Sequence, residues 1–420
     1  MIKFNVNSPQ HLSLLFFGGF LLIDEIQQNG FYKNGNSRTK KVKILKNISG
    51  LGVKAKEDWE TKKEGIYSVG EKVLNVLIKN KGISGEIAKL ILEFRDLKKQ
   101  LSTYYTSVEN LIYSDGLIHS QFNTTATATG RLSCKNPNIQ NVPQGDSKVT
   151  QHYISRFNGK PLFENDQFIP KGLLISADYS GIEPRIEAQM SGDIEAINDI
   201  INNIDPHTKN LALKLKQNYN LISEKVKTGE LKEARRQIKV FTFSVQYGAG
   251  NKTVSENSGL SIEEVKDLKQ KRCQTYPRLH QYYDWLRSEV QQKGFYTDPW
   301  GRIYKFKKYP PKFKWQSEAS YSPNEIQNFR TQGFATATIV LSMIGKFWRE
   351  KAIYNRNKYL MINTIHDSLM LDCKKEFEED AKKDLTLLED VAILSIEKFN
   401  YEFKVPIKIE VSTGESWYDL

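Results

Sequence analysis

Two short apolar runs in this chain each end in an aspartate, and the residues between them carry a helical pattern of cations and rings. The first run, Leu173-Leu174-Ile175-Ser176-Ala177, closes on Asp178. The second, Leu360-Met361-Ile362-Asn363-Thr364-Ile365, closes on His366-Asp367. Runs of this length read as strands with at least one buried face. A carboxylate at the end of a buried strand is costly to desolvate unless it meets a cation. Asp178 alone could also be a capping or turn aspartate. Paired with Asp367 it suits hard divalent cations, which take oxygen ligands and accept substrate phosphates into the same shell.

Between the two aspartates, Arg235, Lys239 and Phe243 recur at intervals of four. At 3.6 residues per turn each step drifts by roughly 40°, so the three share one helical face within about 80°. Arg and Lys one turn apart suit a polyanion such as a triphosphate, with the ring beside its base and sugar. An ordinary amphipathic helix would explain Phe243 and leave the two cations merely solvated. Tyr247-Gly248 closes the pattern, glycine being favoured just past a helix C-terminus. Carboxylate pair and cationic helix together describe nucleotidyl transfer.

The chain has 420 residues, which suggests about three domains. With 39% apolar and 26% charged residues, wholesale disorder is excluded. The formal charge of +12 favours an acidic partner, nucleic acid first, although many basic proteins bind none. Cys134, Cys273 and Cys373 are an odd count without zinc spacing, which argues for a reducing compartment. The run Leu12 to Ile23 is too short to span a bilayer and reads as a buried helix, with Ser8 as its cap and Pro9 at its first position. Lys33, Arg38, Lys40, Lys41, Lys43 and Lys46 fall in a stretch without acids, read as a solvated loop or a loop gripping duplex backbone. Ile87, Leu90, Ile91, Phe94, Leu97 and Leu101 mark one face of a further helix. Residues 205–292 read as mostly helical, 359–373 as a hairpin, and Val405 to Val411 as a last strand.

The order of these pieces resembles the family A DNA polymerases, the group of bacterial DNA polymerase I and the phage replicases. The run R-x-x-x-K-x-x-x-F-x-x-x-Y-G from Arg235 to Gly248 carries the likeness most specifically. Asp178-Tyr179-Ser180-Gly181-Ile182-Glu183 and Thr127-Ala128-Thr129-Gly130-Arg131-Leu132-Ser133 add to it, and the likeness covers nearly the whole chain. It implies an α/β (α+β) right-hand fold of Klenow type. An N-terminal segment and thumb would span 1–115, the palm 116–193 and 313–420, and the fingers 194–312.

The resemblance also implies roles. Asp178 and Asp367 would be catalytic and, with the backbone carbonyl of Tyr179, hold two Mg²⁺ ions, Mn²⁺ being an acceptable substitute; such ions sit about 3.5–4 Å apart. Lys239 would be catalytic as well as nucleotide-binding, and Arg235, Phe243, Tyr247 and His207 would also face the nucleotide. A core histidine is the rival reading for His207. Glu183 would lie under the incoming sugar and block a 2′-hydroxyl, while Ser180-Gly181-Ile182-Glu183 also fits a capping box, in which the glutamate merely closes a helix start. Arg131, Gln140, Asn141, Asn328, Gln332 and His366 would touch DNA. Amide and guanidinium donors suit the minor groove, where acceptors are similarly placed in every correct pair. Pro184 and Ser368 depart from the usual leucine and carboxylate, so no third acidic ligand is expected at 368.

The implied activity is that of a DNA-directed DNA polymerase: template-directed, primer-dependent DNA synthesis from dNTPs, releasing pyrophosphate. A single-subunit RNA polymerase is the nearest rival, and Glu183 and Phe243 argue against it. A catalytically dead DNA-binding relative is the rival of another class, opposed by the presence of Asp178, Asp367 and Lys239. The expected partners are primer-template DNA and dNTPs in a bacterial or phage-infected cytoplasm, with no membrane. A thumb-like segment starting near Ser8 leaves proofreading to a separately encoded exonuclease, with a processivity factor as a compatible further partner. Asp193-Ile194-Glu195 reads as a chance D-x-E match.

Overall fold

Residues 4–143, 148–158, 171–311, 318–391 and 402–420 are described by a computed structural model, whose contacts divide the chain into two units, Met1–Asn110 and Leu111–Leu420. In the first unit, helix α1 (Pro9–Phe17) starts as expected: Ser8 Oγ accepts from the His11 amide at 3.3 Å, and Pro9 occupies the first turn. It does not continue to Ile23. Gly18 and Gly19 have φ of 75° and 126°, and a Cβ on Gly18 would lie 2.9 Å from the Ile48 carbonyl oxygen. The chain turns there into strand β1 (Gly19–Phe31), which pairs antiparallel with β2 (Ser37–Ile48). The basic stretch is therefore mostly strand, not loop. Ile23, Ile26, Val42 and Ile44 supply the β-branched residues that favour this ladder.

Helices α2 (Glu71–Leu77) and α3 (Ile83–Lys99) complete the unit around Leu12, Phe16, Trp59, Leu74, Ala88 and Ile91. The buried face of α3 differs from the one its apolar spacing suggests. Gly85, Ala88 and Ile91 face inward, whereas Leu90, Leu97 and Leu101 are exposed. Close approach decides this: a Cβ on Gly85 would lie 2.3 Å from the Asn80 carbonyl oxygen, so the turn after α2 packs against the small-residue side.

The second unit is built on strand β3 (Gly172–Tyr179), followed by helices α4 (Ile182–Ser191), α5 (Pro206–Leu215), α6 (Lys232–Gln246), α7 (Ile262–Thr275), α8 (Pro277–Lys293) and α9 (Pro323–Gln332). Strands β4 (Tyr359–Ile365), β5 (Ser368–Lys374) and β6 (Ile409–Gly414) follow. They form one antiparallel sheet in the order β4-β5-β3-β6. Having a neighbour on both sides, β3 buries Leu173, Leu174, Ile175 and Ala177, as its continuous apolar run requires. The last strand begins at Ile409, later than the alternation from Val405 suggested, although Val405 and Ile407 are buried. Leu211, Ile222, Ile238, Phe241, Val254 and Leu268 form a separate helical core. Among the described residues no helix is long and apolar enough to cross a membrane.

Asp193 of the D-x-E match is committed to this scaffold. It is buried; one carboxylate oxygen accepts from the Ala196 amide at 3.0 Å, starting the helix Ile194–Ile201. The other accepts from the Arg278 and Leu279 amides at 2.9 and 3.1 Å, at the start of α8. Each cap satisfies amides that a helix start leaves without partners. Asp193→Ala should therefore cost about 2–3 kcal/mol in chemical denaturation, more than a single cap. A loss below about 0.5 kcal/mol would contradict this double role.

Candidate active site

The antiparallel register delivers the two aspartates to one place. Ser368 on β5 and Glu410 on β6 lie directly opposite Asp178, which ends the central strand but for Tyr179. The turn joining β4 to β5 carries His366 at φ 54°, in the left-handed region, and then Asp367. The Tyr179 amide donates to the Asp367 carbonyl at 3.2 Å, stitching that turn to the end of β3. Burial, then the charges of Asp367 and Glu410, push the Asp178 carboxyl up to about 7. Burial also raises Asp367, against the pull of Arg131 and His366. Asp178, whose charge is disfavoured by that of Asp367, and the part-buried Asp367 form a donor set that a cation would relieve.

Among the described residues no cluster of three or more His, Cys, Asp or Glu side chains could hold a metal ion. Ser368 donates to the Ile365 carbonyl at 3.0 Å and serves the turn rather than a metal. The available donors are thus two carboxylates and main-chain oxygen. That set fits Mg²⁺, which keeps several waters and shares its shell with substrate phosphates. A cleft of about 430 Å³ opens here, lined among others by Asp178, His366, Asp367, Trp417 and Tyr418.

Glu183 does not close a capping box. The start of α4 has no side-chain cap, and Ser180 Oγ donates instead to Glu410 at 2.8 Å. The Glu183 carboxylate accepts from the Tyr247 hydroxyl at 2.8 Å and from Arg131 Nη2 at 3.1 Å. Burial raises its pKa despite the opposing effects of Tyr247 and Arg131, and burial and the Glu183 charge raise that of Tyr247. The Arg131 guanidinium is thereby turned to Glu183, with Thr336 Oγ1 at 3.4 Å. Gly130 before it has φ 79°, and any Cβ there would meet the Arg302 guanidinium at 1.6 Å.

Helix α6 carries Arg235, Lys239 and Phe243 in succession, and Tyr247 follows its last turn. Arg235 is not free. Its Nε and Nη2 donate to Asp205 Oδ2 at 3.1 and 3.0 Å, and Asp205 also caps α5 through the Thr208 amide at 2.9 Å. Burial would raise Asp205, but hydrogen bonds from Thr208 and the charge of Arg235 hold its carboxyl below the usual range. Lys239 is exposed, without a carboxylate partner among the described residues, and its Nζ lies 5.9 Å from the Phe243 ring centroid. The His207 ring sits 5.2 Å from that of Phe243. Burial lowers the His207 pKa, Arg235 and Lys239 add to the effect, and Asp205 opposes it, so the imidazole is neutral near pH 7.

The remaining residues divide between scaffold and surface. Gln140 Nε2 donates to the Thr364 carbonyl at 2.8 Å on β4, and Asn141 is exposed. Gln332 hydrogen-bonds Tyr247, and Asn328 Oδ1 is a buried acceptor without a partner among the described residues. Sequence reasoning missed Asp205 as the counter-ion of Arg235, although it lies only two residues before His207. It also missed Gln327, whose buried Nε2 donates to the Gln246 carbonyl at 2.8 Å and holds the end of α6. No local pattern announces that bond.

Comparison with known proteins gives a consistent result. The profile described as DNA polymerase family A matches residues 2–419. The thermostable DNA polymerase I of Thermus aquaticus is 29% identical over 393 residues, covering 91% of this chain and 42% of that protein. DNA polymerase I of Geobacillus stearothermophilus is 27% identical over 424 residues, covering 99% of this chain and 40% of that protein. The chain thus spans about two fifths of the length of these curated relatives. Among solved structures, the POL domain of Pol1 from M. smegmatis, in complex with DNA primer-template and dNTP, superimposes with a TM-score of 0.71. At 20% identity over 99% of this chain and 61% of that one, this is a likeness of fold.

The raised Asp178 carboxyl has a stability consequence. Without a cation, the folded state holds this proton up to about 7, whereas the group's ordinary value is 3.8. The linked stability is complete below the ordinary value and is lost as pH rises through about 7. In chelator, melts between about pH 5 and about pH 8 should show Tm falling more steeply for wild type than for Asp178→Asn. Mg²⁺ at the upper pH should raise the wild-type Tm more. Parallel pH profiles for the two proteins would count against a charge-strained Asp178.

Proposed function

The chain belongs to DNA polymerase family A, and on that premise we propose that it extends a DNA primer along a template strand, joining dNTPs and releasing pyrophosphate. One observation carries the reading. The Tyr247–Glu183 bond ties the end of the cationic helix to the segment that follows Asp178, so α6 lies beside the carboxylate pair. Two Mg²⁺ ions held by Asp178, Asp367 and the Tyr179 carbonyl, or Mn²⁺ in their place, would activate the primer hydroxyl and neutralise the triphosphate.

The chain's own residues then divide the work. Lys239 and Arg235 receive the triphosphate, and the Lys239 ammonium stabilises charge developing on the leaving pyrophosphate. Asp205 fixes the Arg235 fork from behind. Phe243 and the neutral His207 offer ring surfaces to the nucleotide. Both oxygens of Glu183 accept a hydrogen bond, from Arg131 and Tyr247, which fixes the carboxylate where a ribose 2′-hydroxyl would have to fit. Asn328 and Gln332, with Arg131, Gln140 and Asn141, serve the groove side of the new pair, and His366 the primer end. In this reading residues 1–115 form the N-terminal segment and thumb, 116–193 and 313–420 the palm, and 194–312 the fingers. The substrates are primer-template DNA and dNTPs.

Primer extension tests the proposal. Asp178→Ala and Asp367→Ala should each lower extension on the order of a hundredfold or more, while duplex affinity, which rests on dispersed basic contacts, stays near wild type. Either variant remaining within about tenfold of wild type would overturn the assignment of the pair.

Sugar choice is tested separately by incorporation ratios. Wild type should prefer dNTPs, and preference for rNTPs would favour the RNA polymerase reading. Glu183→Ala should raise rNTP:dNTP incorporation on the order of tenfold or more. Phe243→Tyr should admit dideoxynucleotides. An unchanged ratio in Glu183→Ala would remove the sugar gate from the scheme.

A further inference from the structure

Arg330 is fully buried, at 0% exposure, and Glu187, its partner, is at 3%. Arg330 Nη2 donates to Thr331 Oγ1 at 2.8 Å and lies 3.5 Å from Glu187 Oε1; the Thr331 hydroxyl is 3.2 Å from that same carboxylate oxygen. The guanidinium carbon stands 4.6 Å from the Tyr282 ring centroid and 5.5 Å from that of Tyr283, both on α8. Its Nε and Nη1 have no partner among the described residues. A buried arginine with only part of its fork used is an expensive way to fill a core, and apolar residues of similar volume would serve packing better.

Its position on the helix explains what else it does. At roughly 100° per residue, Asn328 and Gln332 lie within about 40° of each other on α9, and Arg330 points to the opposite side. Glu187 lies one turn beyond Glu183 on α4, within about 40° of the same face. The buried pair therefore joins the back of the helix that presents two amides to the helix that presents the glutamate bonded to Tyr247. Gln332 and Glu183 both reach Tyr247, so a small rotation of α9 would move one against the other. Guanidinium and carboxylate resist such rotation better than apolar contacts, because their geometry is directional.

We propose that Arg330 is a specificity-determining positioning residue, whose buried contact with Glu187 sets the rotation of α9 and hence the placement of Asn328 and Gln332 against Glu183. This rests on the polymerase reading, in which those three residues inspect the nascent pair and its sugar. The test compares wild type with Arg330→Met, Arg330→Lys and the double variant Glu187→Leu/Arg330→Met. Each is assayed for Tm, matched-primer extension, mismatched-primer extension and rNTP:dNTP incorporation.

The double variant is the most telling, because it removes both charges of the Arg330–Glu187 pair and so separates folding from positioning better than either single change, although the buried Arg272, whose charge also faces Glu187, stays in place. It should keep a Tm near wild type and matched extension within a few-fold, while mismatched extension relative to matched rises on the order of tenfold. Arg330→Lys, keeping the charge but not the planar fork, should fall between wild type and Arg330→Met in discrimination. A double variant that discriminates like wild type would overturn the proposal, as would variants whose activities all fall in step with Tm at unchanged ratios. Wild type that fails to extend any primer would instead overturn the function reading, and this inference with it.

Discussion

Everything at the site depends on bringing two carboxylates together at the end of a sheet whose centre is dry. Strand β3 is flanked on both sides and almost continuously apolar, so its own polar end is the one place where Asp178 can reach solvent or ligand. The antiparallel register then sets Ser368 and Glu410 across from it, and a single backbone bond from Tyr179 to Asp367 holds the turn in place. Like charges at such a site oppose ionisation, and partial burial amplifies their repulsion. A cation resolves the conflict, which is why the same geometry that strains the protein suits metal-assisted chemistry.

Around that centre, charge is arranged so that few groups are left to chance. Glu183 is satisfied by Tyr247 and Arg131, and Arg235 by Asp205, which is itself held by a helix start. Of Arg235 and Lys239, only Lys239 keeps its head in solvent. The consequence is a division of labour along α6: one cation is preorganised at fixed orientation, the other is adaptable. Farther back, the Glu187–Arg330 pair spends desolvation energy without a fully used hydrogen-bond fork. Removing one member of such a pair typically costs about 3–5 kcal/mol, since the survivor is buried with an unmatched charge. Tyr282 and Tyr283 lower that burden by presenting ring faces to the guanidinium.

Much of this was legible in the chain itself, for local reasons. The Ser8–Pro9 helix start, the hairpin carrying Asp367 and the helix bearing Arg235, Lys239 and Phe243 all follow from patterns spanning one or two turns. The resemblance to family A polymerases rested on those same stretches, and the match to residues 2–419 agrees with it. Where the reading failed, a contact distant in sequence or an exact backbone angle intervened. Leu12 to Ile23 has helical composition, yet Gly18 and Gly19 break it because β2 returns to lie against them. The apolar stripe of α3 gave way to a small-residue face because backbone approach at Gly85 outweighed side-chain hydrophobicity. Ser180 and Glu183 match a capping box, but Glu410 and Tyr247 are better partners than a helix start.

The sequence by itself determined which residue types are available and on which local element each one rides: carboxylates at strand ends, cations and a ring on one helical face, amides one turn apart. Those are consequences of periodicity and end chemistry, which act over a few residues. Tertiary structure alone decided who meets whom. Asp205 claims Arg235, Arg131 turns to Glu183, Gln327 holds the end of α6, and Arg330 is buried against Glu187. Each of these pairings joins residues far apart in the chain, and in each a buried or part-buried polar group takes a partner within hydrogen-bond reach as the surroundings exclude water. Periodicity cannot specify that partner, since the choice is made only when separate elements are packed together.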